Sequence, residues 1–167
     1  MTKLTQETLR EAITATVTQG AAGAEAWPVV DTWVPTLRAD EAADDSDKSF
    51  AVPASTYEQV LWIWVELTTT ATVGDRQIVV ELQDSAADVI AQWRAGAVQA
   101  ASLTRYYCFA PANADLTAFR DTDYLMTPIP PTIILPAAYI VRVYDNNAVA
   151  AAADDLIVQY MCARRSA

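Results

Sequence analysis

The chain reads as an all-β protein, an antiparallel β-sandwich of the jelly-roll type with an N-terminal helical or extended arm. Three observations lead there. From residue 57 onward apolar residues recur with a period of two. Turn residues break these runs at the spacing of roughly eight to twelve residues that sandwiches use. No segment of helical period alternates with the strands, which argues against a doubly wound α/β fold. A length of 167 residues is that of one domain. A chain of this size buries roughly 70% of its unfolded surface, so its core requires no disulfide or structural metal.

Taken in order, residues 5–19 have the marks of a helix. Thr5 is a plausible N-cap, Glu7 sits in the positive first turn, and Leu9, Ile13 and Val17 form an i, i+4 stripe that ends at Gly20. The stripe is one residue wide, so such a helix must lie on something. Residues 20–26 (GAAGAEA) read as a tether. In the segment that follows, Pro28 and Pro35 exclude a central strand and leave Trp27 and Trp33 on an extended or edge segment. Residues 39–49 carry five acids, Asp40, Glu41, Asp44, Asp45 and Asp47, against Lys48, and read as an exposed loop. The expected division is an arm over 1–50 and a β domain over 51–167.

Residues 57–69 are expected to form a long strand, with Leu61, Ile63, Val65 and Leu67 on one face and Val60, Trp62 and Trp64 on the other. Gly74-Asp75 turns the chain into Gln77–Gln83, where Ile78, Val80 and Leu82 point inward and Gln77, Glu81 and Gln83 face water. Further strands are read over Val89–Arg94, Val98–Phe109, Tyr124–Thr127, Tyr139–Tyr144 and Leu156–Ala163. Pro128, Pro130 and Pro131 bar regular pairing until Ile133.

Composition narrows the function. The chain is 53% hydrophobic and 19% charged, where globular chains average about 45–50% and about 25%; its mean hydropathy is +0.12. Eleven Lys and Arg against 21 Asp and Glu give a net charge of −10. Such an excess of acid repels phosphate and argues against nucleic acid as a partner. There is no histidine, which removes Ser-His-Asp and Cys-His catalysis and the commonest zinc ligand. No apolar run approaches the ~20 residues that span a bilayer, and no membrane partner is expected. The N-terminus carries acids and threonines where a signal peptide needs an apolar stretch. Cys108 and Cys162 lie in strand-like runs and read as free thiols, so synthesis in a reducing cytoplasm is expected.

Motifs that would carry chemistry are weak. Asp45-Ser46-Asp47 places two carboxylates two residues apart but lacks the glycine and distal glutamate of a calcium-binding helix-loop-helix, and reads as a solvated loop. Asp154-Asp155 either caps the last strand or ligates a metal. Glu66, Glu81, Asp121, Asp123 and Asp145 are available for carboxylate hydrolysis, but no spacing marks two of them as partners. Ser102 and Ser166 have no histidine as base, and the glycines form no phosphate loop. The expectation is a chain without catalytic residues, metal or cofactor. The tryptophans say more. The 57–69 strand is apolar on both faces, so the face bearing Trp62 and Trp64 needs a cover: the chain's own arm with Trp27 and Trp33, a partner subunit, or a stacked sugar.

Three stretches carry a resemblance: LTTTATVGDRQIVVELQD (67–84), AGAVQAASLTRYYCFAP (95–111) and ILPAAYIVRVYDNNAVAAAADDLIVQYMCAR (134–164). In these the chain resembles small structural proteins encoded among the head genes of tailed bacteriophages. It departs from the expected pattern at Ala138, where the turn before the tyrosine strand calls for glycine. The resemblance implies a virion component made in the bacterial cytoplasm. The expected role is a capsid cement or decoration protein on the outer shell, bridging major capsid subunits and associating with copies of itself, a trimer being the natural symmetry. Its contact residues would be Leu9, Ile13, Val17, Trp27 and Trp33 of the arm, with Trp62 and Trp64 on the sheet. The alternatives are a neck or tail component (head-to-tail adaptor or tail terminator) and a carbohydrate-binding receptor module.

Overall fold

Period-two patterning resolves into ten strands among the described residues of the computed structural model, which are 33–147, 149–150 and 153–167. In chain order they are β1 (Val34–Asp44), β2 (Lys48–Ala51), β3 (Thr56–Thr68), β4 (Ile78–Gln83), β5 (Val89–Arg94), β6 (Thr104–Pro111), β7 (Tyr124–Ile129), β8 (Ile134–Leu135), β9 (Ile140–Asp145) and β10 (Asp155–Ser166). One sheet, sheet A, has the order β1-β10-β3-β6-β7, with β8 pairing the start of β3; sheet B has the order β2-β9-β4-β5. Both sheets give their inward residues to a single apolar core. Val65, Leu67, Phe109 and Val158 come from sheet A, and Ile78, Val80, Val141 and Val143 from sheet B, each at 0% exposure. Phe50 of sheet B meets Tyr160 of sheet A with ring centroids 5.7 Å apart. The ladders are nested: β1 pairs β10, β2 pairs β9, β3 pairs β6 and β4 pairs β5.

The fold is thus all-β but its sheets are mixed, because β7 runs parallel to β6 where an antiparallel sandwich was expected. A parallel neighbour needs a connection of about a dozen residues, and residues 112–123, with one 3-10 turn at Thr117–Phe119, supply it. β7 tolerates Pro128 because it lies at a sheet edge. Regular pairing therefore continues through this proline to Ile129 instead of stopping at Thr127.

Residues 33–50 are not an arm. β1 is the edge strand of sheet A, Val34 opposite Arg164 through Asp40 opposite Val158, and β2 pairs with β9. The acid-rich stretch hid this because its carboxylates have structural partners. Lys48, 1% exposed, reaches Asp44 at 2.7 Å and Asp40 at 3.5 Å. Asp47 pairs with Arg142, and Glu41 accepts from Gln159. Towards the opposite end of the sheet, Glu58 of β3 is fully buried and held by Arg38 of β1 at 3.3 Å and Arg164 of β10 at 2.7 Å. The helix read over 5–19, the tether, and Leu9, Ile13, Val17 and Trp27 lie outside the described residues.

Three local expectations shift. A bulge leaves Leu61 unpaired, since Cys162 faces Val60 and Met161 faces Trp62. Val60 therefore points into the core with Ile63, Val65 and Leu67. Glu81 and Gln83, expected in water, are 4% and 7% exposed. The strand expected from Val98 begins only at Thr104, because buried Gln99 closes the preceding loop. Its amide donates to Leu67 O and Leu103 O, and its carbonyl accepts from Tyr107.

Ala138 occupies the third position of a turn closed by Tyr139 N–H to Pro136 O, at φ 68°. A type II turn favours glycine at this position, and an L-residue there costs about 1–2 kcal/mol. Ala138→Gly should therefore raise stability by about 0.5–1 kcal/mol in chemical denaturation, after glycine's extra chain entropy is subtracted. The strand pairing makes a second prediction. A chain of residues 33–167 should keep a β-type circular dichroism spectrum and a cooperative melt. A chain of 51–167, stripped of β1 and β2 and of the Arg38 partner of Glu58, should lose cooperativity. A cooperative 51–167 fragment would return residues 33–50 to the status of an appendage.

Candidate functional site

Alternation along the strands of sheet A sends every second residue away from the core, and these residues are mostly apolar. One row across the strands is Leu37, Met161 and Trp62; the next is Ala39, Gln159, Trp64, Cys108 and Met126; a third is Ile157, Glu66, Tyr106 and Tyr124. Glu66 is the one charged residue in the three rows, and Glu41 of β1 sets a second carboxylate at their edge, where it accepts from Gln159. Trp62 and Trp64 are half-buried, and with Cys108, Ala110 and Gln159 they line an open depression of about 370 Å³. Beside it runs a ladder of rings: Trp64 stacks on Tyr106 at 5.9 Å and Tyr106 on Tyr124 at 4.5 Å, both at 22° between planes. The structure therefore brings Trp62 and Trp64 together. Trp33 is elsewhere, just before β1, beneath the Arg165 guanidinium, which also lies over Tyr57.

Sequence reasoning found the two tryptophans but not their neighbours Cys108, Met126, Gln159 and Tyr124. The signal was present as alternation: Tyr107 and Phe109 point inward, so Tyr106 and Cys108 point out. Both cysteines are free. Burial pushes the Cys108 thiol up, and burial together with Glu58 pushes Cys162 up to about 11. Neither thiol has the lowered pKa of a nucleophile. The Glu66 carboxylate and partial burial push the Tyr106 hydroxyl up as well.

A second grouping joins three loops that are far apart in sequence. Asp45 lies between β1 and β2, Asp145 ends β9, and Asp154 precedes β10; one carboxylate oxygen from each lies within 4.8 Å of the others. Asp154 is fully buried and binds Arg76, also fully buried, at 2.8 Å, and it accepts from Thr70 N–H at 2.7 Å. Burial acts to raise Asp154, but the bonds from Thr70 and Arg76 outweigh it and hold it below the usual range. Burial and the charges of Asp145 and Asp154 push Asp45 up to about 6, and burial pushes Asp145 up. The sequence reading weighed Asp45 with Asp47 and Asp154 with Asp155; the fold instead pairs Asp45 with Asp145 and Asp154. Only oxygen is offered here, which suits a hard cation.

Glu81, one of the residues considered for hydrolysis, has another role. Its carboxylate accepts from Tyr144 at 2.6 Å, Gln92 at 2.7 Å and Arg142 at 3.2 Å. Burial acts to raise its pKa; the hydrogen bonds and the Arg142 charge prevail and hold it below the ordinary carboxylate range. A carboxyl kept ionised in this way is a poor general acid.

No protein-family model and no curated protein matches the chain. Five solved chains match in structure. One, from the structure of infectious bursal disease virus Gx strain, superposes with a TM-score of 0.29 at 11% identity, covering 78% of this chain and 37% of that chain. The chain thus spans little more than a third of that protein's length.

The Glu81 network has a pH signature. Its folded pKa lies below the unfolded value of about 4.3, so its contribution is complete above that value and is lost as pH falls through the folded one. Tyr144→Phe should cost about 1–2 kcal/mol at pH 7. That difference should shrink towards zero as urea denaturation is repeated at progressively lower pH. A difference undiminished in acid would mean that the hydroxyl acts through packing and not through the carboxylate.

Proposed function

We propose that this chain is a structural virion protein that acts by contact, a capsid cement or decoration protein whose sheet A outer face seats on a neighbouring major capsid subunit. The observation that carries the reading is the run of three outward rows with one charge among them, on a protein whose net charge is −10. Interface cores are depleted of charge and enriched in aromatic residues and Met, which is the content of these rows. Such a face gains roughly 25 cal/mol for each Å² of apolar surface covered, before the costs of association. The partner this face fits is therefore an apolar protein surface, and the acidic remainder keeps the particle exterior soluble.

The nested ladders support a jelly roll as the finer description of the fold. If β7 and β8 are set aside as additions, the remaining strands behave as one long hairpin, β1 to β4 running out and β5, β6, β9 and β10 running back. Rolling that hairpin up deals its strand pairs alternately to the two sheets, the jelly-roll arrangement common in viral shells. The resemblance of residues 67–84, 95–111 and 134–164 to tailed-phage head proteins points to the same class. A sugar platform is less well supported, because sugars stack on ring faces. Tyr106 has a ring stacked on either side, by Trp64 and by Tyr124.

Purified heads lacking the protein supply the test. Wild-type chain should bind them at saturating, symmetric stoichiometry, and Trp62→Asp with Trp64→Asp should weaken binding at least 100-fold, as loss of two central aromatic anchors of about 2 kcal/mol or more each would. The variant should melt at a lower temperature, having lost two half-buried rings, but should keep a β-type circular dichroism spectrum and a cooperative transition well above the temperature of the binding assay. Copies by the hundred per particle identify a shell protein, whereas a single ring's worth would replace this reading with a neck or tail component. Unchanged binding by the double variant would remove the face from the interface.

A further inference from the structure

We infer that Asp45, Asp145 and Asp154 form a divalent-cation site, suited to Ca²⁺, that ties the β1–β2 turn to the ends of β9 and β10. The first ground is charge. The three carboxylates carry three negative charges, and Arg76 is the cation bonded within the group. Its guanidinium is already committed: Nε and Nη2 donate to Asp154, and Nη1 donates to Thr72 O and Gly74 O at 2.9 and 2.8 Å. Two negative charges are left over, the charge of one divalent ion.

The second ground is independent of the clustering. Asp45 Oδ1 and Asp145 Oδ2 each expose less than 1 Å² to solvent and accept no hydrogen bond. Asp145 spends its other oxygen on the N–H of Gln77 at 3.0 Å and of Asn147 at 3.2 Å. Burying an ionised oxygen without a donor is costly, and two occur here among mutually repelling carboxylates. A cation is the partner that satisfies both at once. The spacing is compatible: ligands on opposite sides of a Ca²⁺ ion, at about 2.4 Å each, stand about 4.8 Å apart, and one oxygen from each of the three carboxylates falls within 4.8 Å of the others. Carbonyl oxygens and water would complete the shell.

The test uses the full chain stripped with EDTA and titrated with CaCl₂, followed by calorimetry and thermal melting. Calcium should bind one-to-one and raise the melting temperature by roughly 5–10 °C at about 100 times its Kd. Asp45→Asn and Asp145→Asn should each weaken binding at least tenfold, while Asp47→Asn, outside the cluster, should retain it. In EDTA the Asp45→Asn and Asp145→Asn chains should melt at or above wild type, because a repelling charge has gone; a merely structural carboxylate would lower the melting point. The inference is overturned if wild type shows neither binding heat nor a melting shift with Ca²⁺, Mg²⁺ or Mn²⁺, or if Asp145→Asn responds as wild type does. The measurement needs no capsid and stands apart from the role proposed for sheet A.

Discussion

The ladder between β3 and β10 is the constraint on which the remaining structure depends. These are the longest strands, 13 and 12 residues, and they pair along nearly their whole length, from Asp155 opposite Thr68 to Ser166 opposite Thr56. β1 hangs on the outer edge of β10, while β6 and β8 share the far edge of β3. Their inward residues supply much of the sheet A side of the core, and their outward residues are the centre of the aromatic face. A strand pair this long, apolar on both sides, produces two surfaces that water disfavours. The inner one is covered by sheet B. The outer one is half-buried in its own side chains and offers the remainder for contact.

A second theme is the way an acidic chain accommodates its charges. Lys48, Glu58, Arg76 and Asp154 are all essentially inaccessible, yet each has an ion-pair partner on a different strand or loop. Burying such pairs adds little net stability, but removing one partner strands the other. Their effect is on arrangement: Glu58 joins β1, β3 and β10 at one end of sheet A, and Arg76 with Asp154 joins the loop before β4 to the start of β10. The acid cluster at Asp45 and Asp145 is the exception, with more negative charge than its neighbours neutralise.

Strand identity was legible in β9 and β10, where buried and less buried residues alternate with period two, because alternation alone reports that condition. It was illegible in β1. There the inward positions are Thr36, Arg38 and Asp40, so polar residues paired across strands looked like loop. It misled at Leu61, where a bulge moves Val60 to the opposite face, and at Glu81, whose burial depends on Tyr144 and Arg142 reaching over it. Of the candidate site, the Trp62–Trp64 face could be read from a doubly apolar strand and Tyr106 from alternation along β6, but the Tyr124 ring stacked on Tyr106 comes from β7, a parallel neighbour that local patterning does not specify.

The amino-acid sequence by itself determined the all-β class, the absence of histidine chemistry, the acidic balance and the presence of an apolar strand face in need of cover, since each follows from composition or from period. Tertiary structure decided which strands are neighbours, that residues 33–50 belong to the sheets, and that three aspartates separated by up to 109 positions converge on one point. The physical reason is range. Alternation and turn chemistry are set by adjacent residues, whereas ion pairing, strand order and carboxylate clustering are set by chain closure between segments that share nothing in sequence except the space they come to occupy.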